Sequence, residues 1–150
     1  MEVIKYKNGD AKNIASLENE FSIELPIDYR NFLIENNGAD IENGFFYVKE
    51  INQTIPMGYF FGIDAKHKAA DIVRINKEYG DDIAESSFLI GNDIGSGFLL
   101  LVFDGENDGI WYYDHTYFFK ESTDELNTYF IAESFSDFLK ILETTPAPKA

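Results

Sequence analysis

The sequence predicts an α+β fold in which a mixed, largely antiparallel sheet carries flanking helices. Two observations lead to it. Helical and strand periods alternate in the order helix, helix, strands, helix, strands, helix, and the chain lacks the regular strand–helix alternation that a doubly wound parallel sheet requires. The most regular part, SFLIG, GFLLLVFD and GIWYYD, is three apolar runs separated by NDIGSG and GENDG, the pattern of consecutive antiparallel strands joined by tight turns.

The elements follow in order. Ile14, Leu17 and Phe21 recur at three and four residues and predict a helix from Ala11 to Phe21, with Asp10 as its cap. A second helix begins at Pro26, which suits a first helical turn; Tyr29, Phe32 and Leu33 form its apolar stripe, and Asn36, Asn37 and Gly38 end it. GFFYV and GYFFGI read as strands, with Pro56 between them or on an edge. A third helix is expected over Asp64–Tyr79 with Gly80 as terminator. After the meander come a polar loop, KESTDELN, a short strand at Tyr129–Ala132, and a last helix capped by Ser134 with Phe135, Phe138, Leu139 and Leu142 on its buried face. The length of 150 residues fits one domain over 1–150, with a loose tail at 144–150.

Composition narrows the chemistry. With no Cys there is no disulfide framework, thiolate zinc site or cysteine nucleophile. The start, MEVIKYKNGD, has no secretory pattern and no segment reaches the apolar length of a membrane span, so a cytoplasmic protein without membrane contact is expected. The net charge of -15 argues against nucleic acid as a direct ligand, because phosphate is bound by Lys and Arg. The acid is unevenly placed: residues 1–75 carry 12 acidic and 8 basic side chains, residues 76–150 carry 15 and 4, and no cation lies between Lys77 and Lys120. Such a field attracts a basic surface, although high net charge also serves solubility alone.

Catalytic candidates are few. His67 falls between Lys66 and Lys68 in the expected third helix, on a solvated face. His115 follows Asp114, but neighbours in a strand point to opposite faces, so a surface histidine near a turn is expected. Asp104–Gly109 has oxygen ligands at alternate positions and Gly at the sixth, as a calcium loop does, yet His115 stands where a bidentate Glu is needed, and strands flank it in place of helices. Gly91, Gly95 and Gly97 precede a strand where a phosphate loop would precede a helix. No constellation for nucleophilic or metal-assisted chemistry emerges, and no catalytic, cofactor or metal residue is predicted.

An ordered set of short motifs does carry a family likeness. Leu25-Pro26, Asp28-Tyr29-Arg30, Phe32-Leu33 and Asn37-Gly38 are followed by Phe61-Gly62-Ile63, by Ile90-Gly91-Asn92-Asp93 through Gly97 to Phe103, by Asp114-His115, and by Ala132, Ser134-Phe135 and Phe138-Leu139. From about Leu17 to Leu142 the chain resembles the SMI1/KNR4 family of the SUKH superfamily, with Ala39 and Ser96 where Gly is common. The resemblance implies an α+β fold and no shared catalytic residue or cofactor. Bacterial members are typically immunity proteins that bind and neutralise a polymorphic toxin, often a nuclease; fungal members are regulatory interaction modules with cellular partners. A protein partner, in the first reading a basic toxin domain, is therefore expected, with the cation-free stretch as its recipient. The candidate contacts are Asp81, Asp82 and Glu85 after the third helix, and Asp104, Glu106 and Asp108 at a hairpin tip.

Overall fold

A computed structural model describes residues 1–149. Its sheet has eight strands: β1 (Glu2–Lys5), β2 (Ala39–Glu42), β3 (Phe45–Val48), β4 (Gln53–Phe60), β5 (Ser87–Asp93), β6 (Phe98–Val102), β7 (Gly109–Tyr113) and β8 (Thr128–Ala132). Four helices accompany it: α1 (Ala11–Phe21), α2 (Ile27–Glu35), α3 (Ile72–Tyr79) and α4 (Phe135–Thr144). The strand order is β1-β2-β4-β5-β6-β7-β8, with β3 pairing β4 off that path. Every ladder between named strands is antiparallel; an isolated bridge between Gly62 and Asp71 is parallel. The α+β class is as expected.

Both ends of the chain's helical content are set locally. The Asp10 carboxylate accepts a 2.7 Å bond from Asn13 N, and Ser134 Oγ accepts one from Asp137 N at 3.1 Å, so each helix begins on a side-chain cap. The helices then pack through rings. Phe60 of β4 lies 5.2 Å from Phe32 of α2 and 5.5 Å from Phe135 of α4, while Phe46 of β3 bridges Phe138 and Tyr112 at 5.6 Å each. Edge-on and tilted aromatic packing thus joins α2, α4, β3, β4 and β7 in one buried cluster.

Four expectations need correction. Strands β1 and β2 were not anticipated: Glu2–Lys5 is exposed throughout and has no alternating pattern, and its strand exists through pairing with Ala39–Glu42. Pro56 lies inside β4. Met57 N donates to Gly44 O on the β3 side, so the Pro56 nitrogen faces the other way, just past the last β4–β5 pair, Met57 with Asp93, where Pro56 serves as acceptor, its O taking Ile94 N at 3.2 Å. The third helix starts at Ile72, eight residues later than expected, because Gly62 N donates to Ala70 O and Ile72 N donates to Gly62 O, holding the preceding chain off the helical path until Asp71 caps it. Gly80 does not terminate by reversing: its φ is -59°, and the chain runs on into a 3-10 turn over Gly80–Asp82. Within the expected tail, Thr144 is helical and Thr145 N bonds Ile141 O; the final Ala150 lies outside the described residues.

The position of α3 follows from one buried side chain. After Phe61, whose N still donates to Ile90 O at 2.9 Å, the chain turns away from β5, leaving the Leu89 backbone without a strand neighbour on that side. Asn76 takes that place: its Oδ1 accepts from Leu89 N at 2.8 Å and its Nδ2 donates to Leu89 O at 2.9 Å and to Ile72 O at 2.9 Å. Removing the carboxamide leaves two backbone groups buried and unpaired, so Asn76→Leu, which keeps the side-chain bulk, should lower stability by about 3 kcal/mol. Urea denaturation measures this directly; an unchanged midpoint would show that the clamp is replaceable.

Candidate partner-binding site

The candidate carboxylates divide between two connections that meet at one end of the sheet. Ser87 pairs with Val102, and Phe103 N donates to Ser86 O at 2.9 Å, so the approach to β5 and the departure from β6 lie side by side. Glu85 sits just before this junction and Asp104 just after it, both exposed. The β6–β7 turn, carrying Asp104, Glu106 and Asp108, extends beyond the same sheet end. Glu133 joins them without having been predicted, since Gly109 closely abuts the Ala132 carbonyl and the Glu133 main chain. Asp81 and Asp82 occupy the exposed 3-10 turn at the start of the α3–β5 connection. The turn follows directly on Tyr79, whose ring lies 5.3 Å from His115, and His115 lies 5.7 Å from Tyr113, so Asp82 stands on the β7 side; burial first and the Asp82 charge second push the Tyr113 phenol above its ordinary value.

The hairpin tip is rigid because two of its carboxylates bind their own turn. Asp104 Oδ1 accepts from Glu106 N at 2.9 Å and from Asn107 N at 2.6 Å, while Asp108 Oδ1 accepts from Gly105 N at 2.7 Å. These donors, Asn107 first, hold the Asp104 carboxyl below its usual value. Gly105, at φ +89°, supplies the reversal. Asp104 and Asp108 therefore shape the tip, and Glu106, engaged only through its main chain, presents its carboxylate outward. Beside this end a groove of about 900 Å³ opens between the α1–α2 connection and residues 83–88, with Glu24, Glu85 and Arg30 on its polar side. Arg30 is held there by Glu18 at 2.6 Å, and the same Glu18 oxygen accepts from Leu25 N.

An aromatic surface adjoins the acidic end. Trp111 and Tyr113, two residues apart on β7, point to the same face, and Phe130 of β8 stands opposite Trp111 with ring centroids 5.3 Å apart. Trp111 Nε1 donates to Asn107 O at 2.9 Å, which ties the indole to the acidic turn. GIWYY was legible as a strand, but which of its rings would stay uncovered depended on how far α3 reaches across the sheet.

The two histidines behave differently from expectation. His67 lies in the connection before α3, not in a helix, and is exposed. His115 lies past the end of β7 and is half-buried, stacked 4.2 Å from Phe98 and 5.3 Å from Tyr79; burial lowers its pKa, partly offset by the Ser96 backbone. Its neighbour Asp114 orients a loop: it accepts from Phe118 N, Phe119 N and Ser122 Oγ. Asp93 is likewise committed, accepting from Gly97 N at 3.1 Å and Tyr112 Oη at 2.6 Å. Among the described residues, no group of three or more His, Cys, Asp or Glu side chains is arranged to hold a metal, and no helix is long and apolar enough to cross a membrane.

Burial raises the Asp93 pKa, against the lowering effect of Tyr112 and Gly97. A carboxyl raised in the folded state binds more protons there than in the unfolded chain, so its contribution to stability is full at low pH and is lost as pH rises through the folded value. Asp93→Asn keeps an acceptor for Gly97 N without the charge. The stability of the parent relative to this variant should therefore be greatest under acidic conditions and decline toward neutral pH, as measured by urea denaturation across that range; a difference that grows with pH would contradict it.

A family model described as SMI1 / KNR4 family (SUKH-1) matches residues 9–141. A search of curated proteins returns no match.

Proposed function

The chain belongs to the SMI1/KNR4 family (SUKH-1), and from that premise we propose that it is an immunity protein that binds and neutralises a cognate basic toxin domain, a nuclease being the partner its charge fits best. Family membership supports a protein-interaction module of the immunity or regulatory type at the coarser level. The observation that carries the finer reading is the convergence of Glu85, Asp104, Glu106, Asp108 and Glu133 at one sheet end, within reach of a cation-free stretch that runs from Glu78 to Phe119. A nuclease presents cationic side chains to phosphate, and an acidic surface is steered to such a groove and covers it. The partner is met in the cytoplasm on this reading, and the domain works without catalysis or cofactor.

Co-expression with a candidate toxin from an adjacent gene tests the proposal: cells should survive and the two chains should co-purify. Equal killing with and without this protein would refute it. A charge variant refines the test. Asp82, Glu85 and Glu106 use no carboxylate oxygen in the fold's own hydrogen bonds, so Asp82→Asn, Glu85→Gln and Glu106→Gln together should leave stability intact and slow association about tenfold at low salt, with the difference shrinking as salt is raised. Stopped-flow binding reads both effects, and an association rate that ignores charge and salt would count against electrostatic steering.

A further inference from the structure

We propose that the surface formed by Trp111, Tyr113 and Phe130 is the energetic centre of the partner interface, and that it receives an arginine-bearing segment of the partner protein. This deepens the protein-binding reading and rests on it. The layer covering this side of the sheet stops short of the surface. Tyr79 of α3 packs 4.9 Å from Phe98 of β6, and His115 covers the same ring and reaches Tyr113 at 5.7 Å, but Trp111 and β8 lie beyond. Trp111 and Tyr113 are half-buried, and Phe130, on the last strand of the order, is 42% exposed. Core positions of the same strands show that burial was available: Ile110, Tyr112 and Tyr129, on the opposite face, are at most 2% exposed.

Three rings on one side of a strand pair form an apolar contact area of the kind that dominates protein interfaces. Their rim is acidic. The turn with Asp82 follows Tyr79, which reaches Tyr113 through His115, the turn bearing Glu106 holds the Trp111 indole, and Glu133 follows β8 at the same end. Flat π faces bordered by carboxylates favour a guanidinium over an ammonium ion. Arg stacks its plane on a ring while its N–H groups pair with carboxylate oxygens, whereas Lys brings a compact, strongly hydrated charge. Charge complementarity thus selects a basic segment, and the rings select Arg within it.

The chain has a single Trp, so its fluorescence reports on this surface alone. The probes are two capped peptides of equal length and charge, one with three Arg spaced by Gly and one with Lys in the same places, titrated into the full chain. The Arg peptide should shift Trp111 emission saturably and bind several times more tightly than the Lys peptide. Phe130→Ala should weaken Arg-peptide binding about tenfold while leaving the far-ultraviolet circular dichroism unchanged, with only a modest fall in melting temperature from the lost Trp111 contact. Glu106→Gln should weaken it less, and Phe118→Ala, an exposed ring at the opposite sheet end, not at all. Equal binding of the two peptides with no effect of Phe130→Ala would mean general attraction to an acidic protein and would overturn the proposal, as would an unresponsive Trp111. The outcomes separate from those of the toxin test. Rescue of cells by a chain whose Phe130→Ala variant binds toxin equally well sinks only this surface; selective Arg-peptide binding without rescue sinks only the immunity reading.

Discussion

Where the chain leaves β5 after Phe61, the strand from Leu89 back toward Ser87 faces an empty ladder, and a buried backbone cannot stay unpaired. The carboxamide of Asn76 resolves this by presenting one acceptor and one donor to Leu89, as a neighbouring strand would. A helix is thereby docked beside a strand at a fixed height. Tyr79 is carried onto Phe98 and His115, and the 3-10 turn with Asp81 and Asp82 is delivered next to β7. The same placement decides which rings α3 covers and which it leaves open, so the shape of the candidate interface is a consequence of this clamp.

A second amide works in the same way elsewhere. Asn37 Nδ2 donates to Ile63 O at 2.9 Å and its Oδ1 accepts from Ile63 N at 2.7 Å, pinning the end of α2 to the segment after β4. Gly62 must be glycine there, because a Cβ would lie 2.5 Å from Asn37 O. Asp28 reaches across 108 residues to accept from both Ser136 N and Ser136 Oγ at the start of α4. The short motifs that carried the family likeness are therefore largely polar tethers and close approaches between distant segments. Their residues are fixed by the fold, which is why they locate the family without locating a partner.

Elements whose cause is local were legible in the sequence. Helix α1 came with its cap, the meander with its turns, and α4 with Ser134, since each rests on neighbouring residues. What failed was set at a distance. Exposed Glu2–Lys5 becomes a strand only by meeting Ala39–Glu42, α3 is delayed by Gly62, and Pro56 is tolerated past the last β4–β5 pair, where it contributes only its carbonyl, to Ile94 N. Of the candidate site, the carboxylates could be named, but their convergence rests on the Ser87–Val102 pairing, and the open rings on the limited reach of α3. Sequence alone also gave no sign that Asp104 and Asp108 are largely occupied by their own turn, which leaves Asp82, Glu85, Glu106 and Glu133 as the more available charges.

Acid and aromatic surface act at different stages of binding on this account. Long-range charge raises the encounter rate and falls with salt, while desolvated rings set how long the complex lasts. The most direct test is the footprint of the bound partner by amide hydrogen exchange, comparing the free chain with its complex with the toxin candidate that co-purifies with it. The account predicts new protection confined to residues 80–86, 103–113 and 128–133. Protection centred instead on the opposite sheet end, residues 94–97 and 114–127, with no change at the acidic turn, would contradict it.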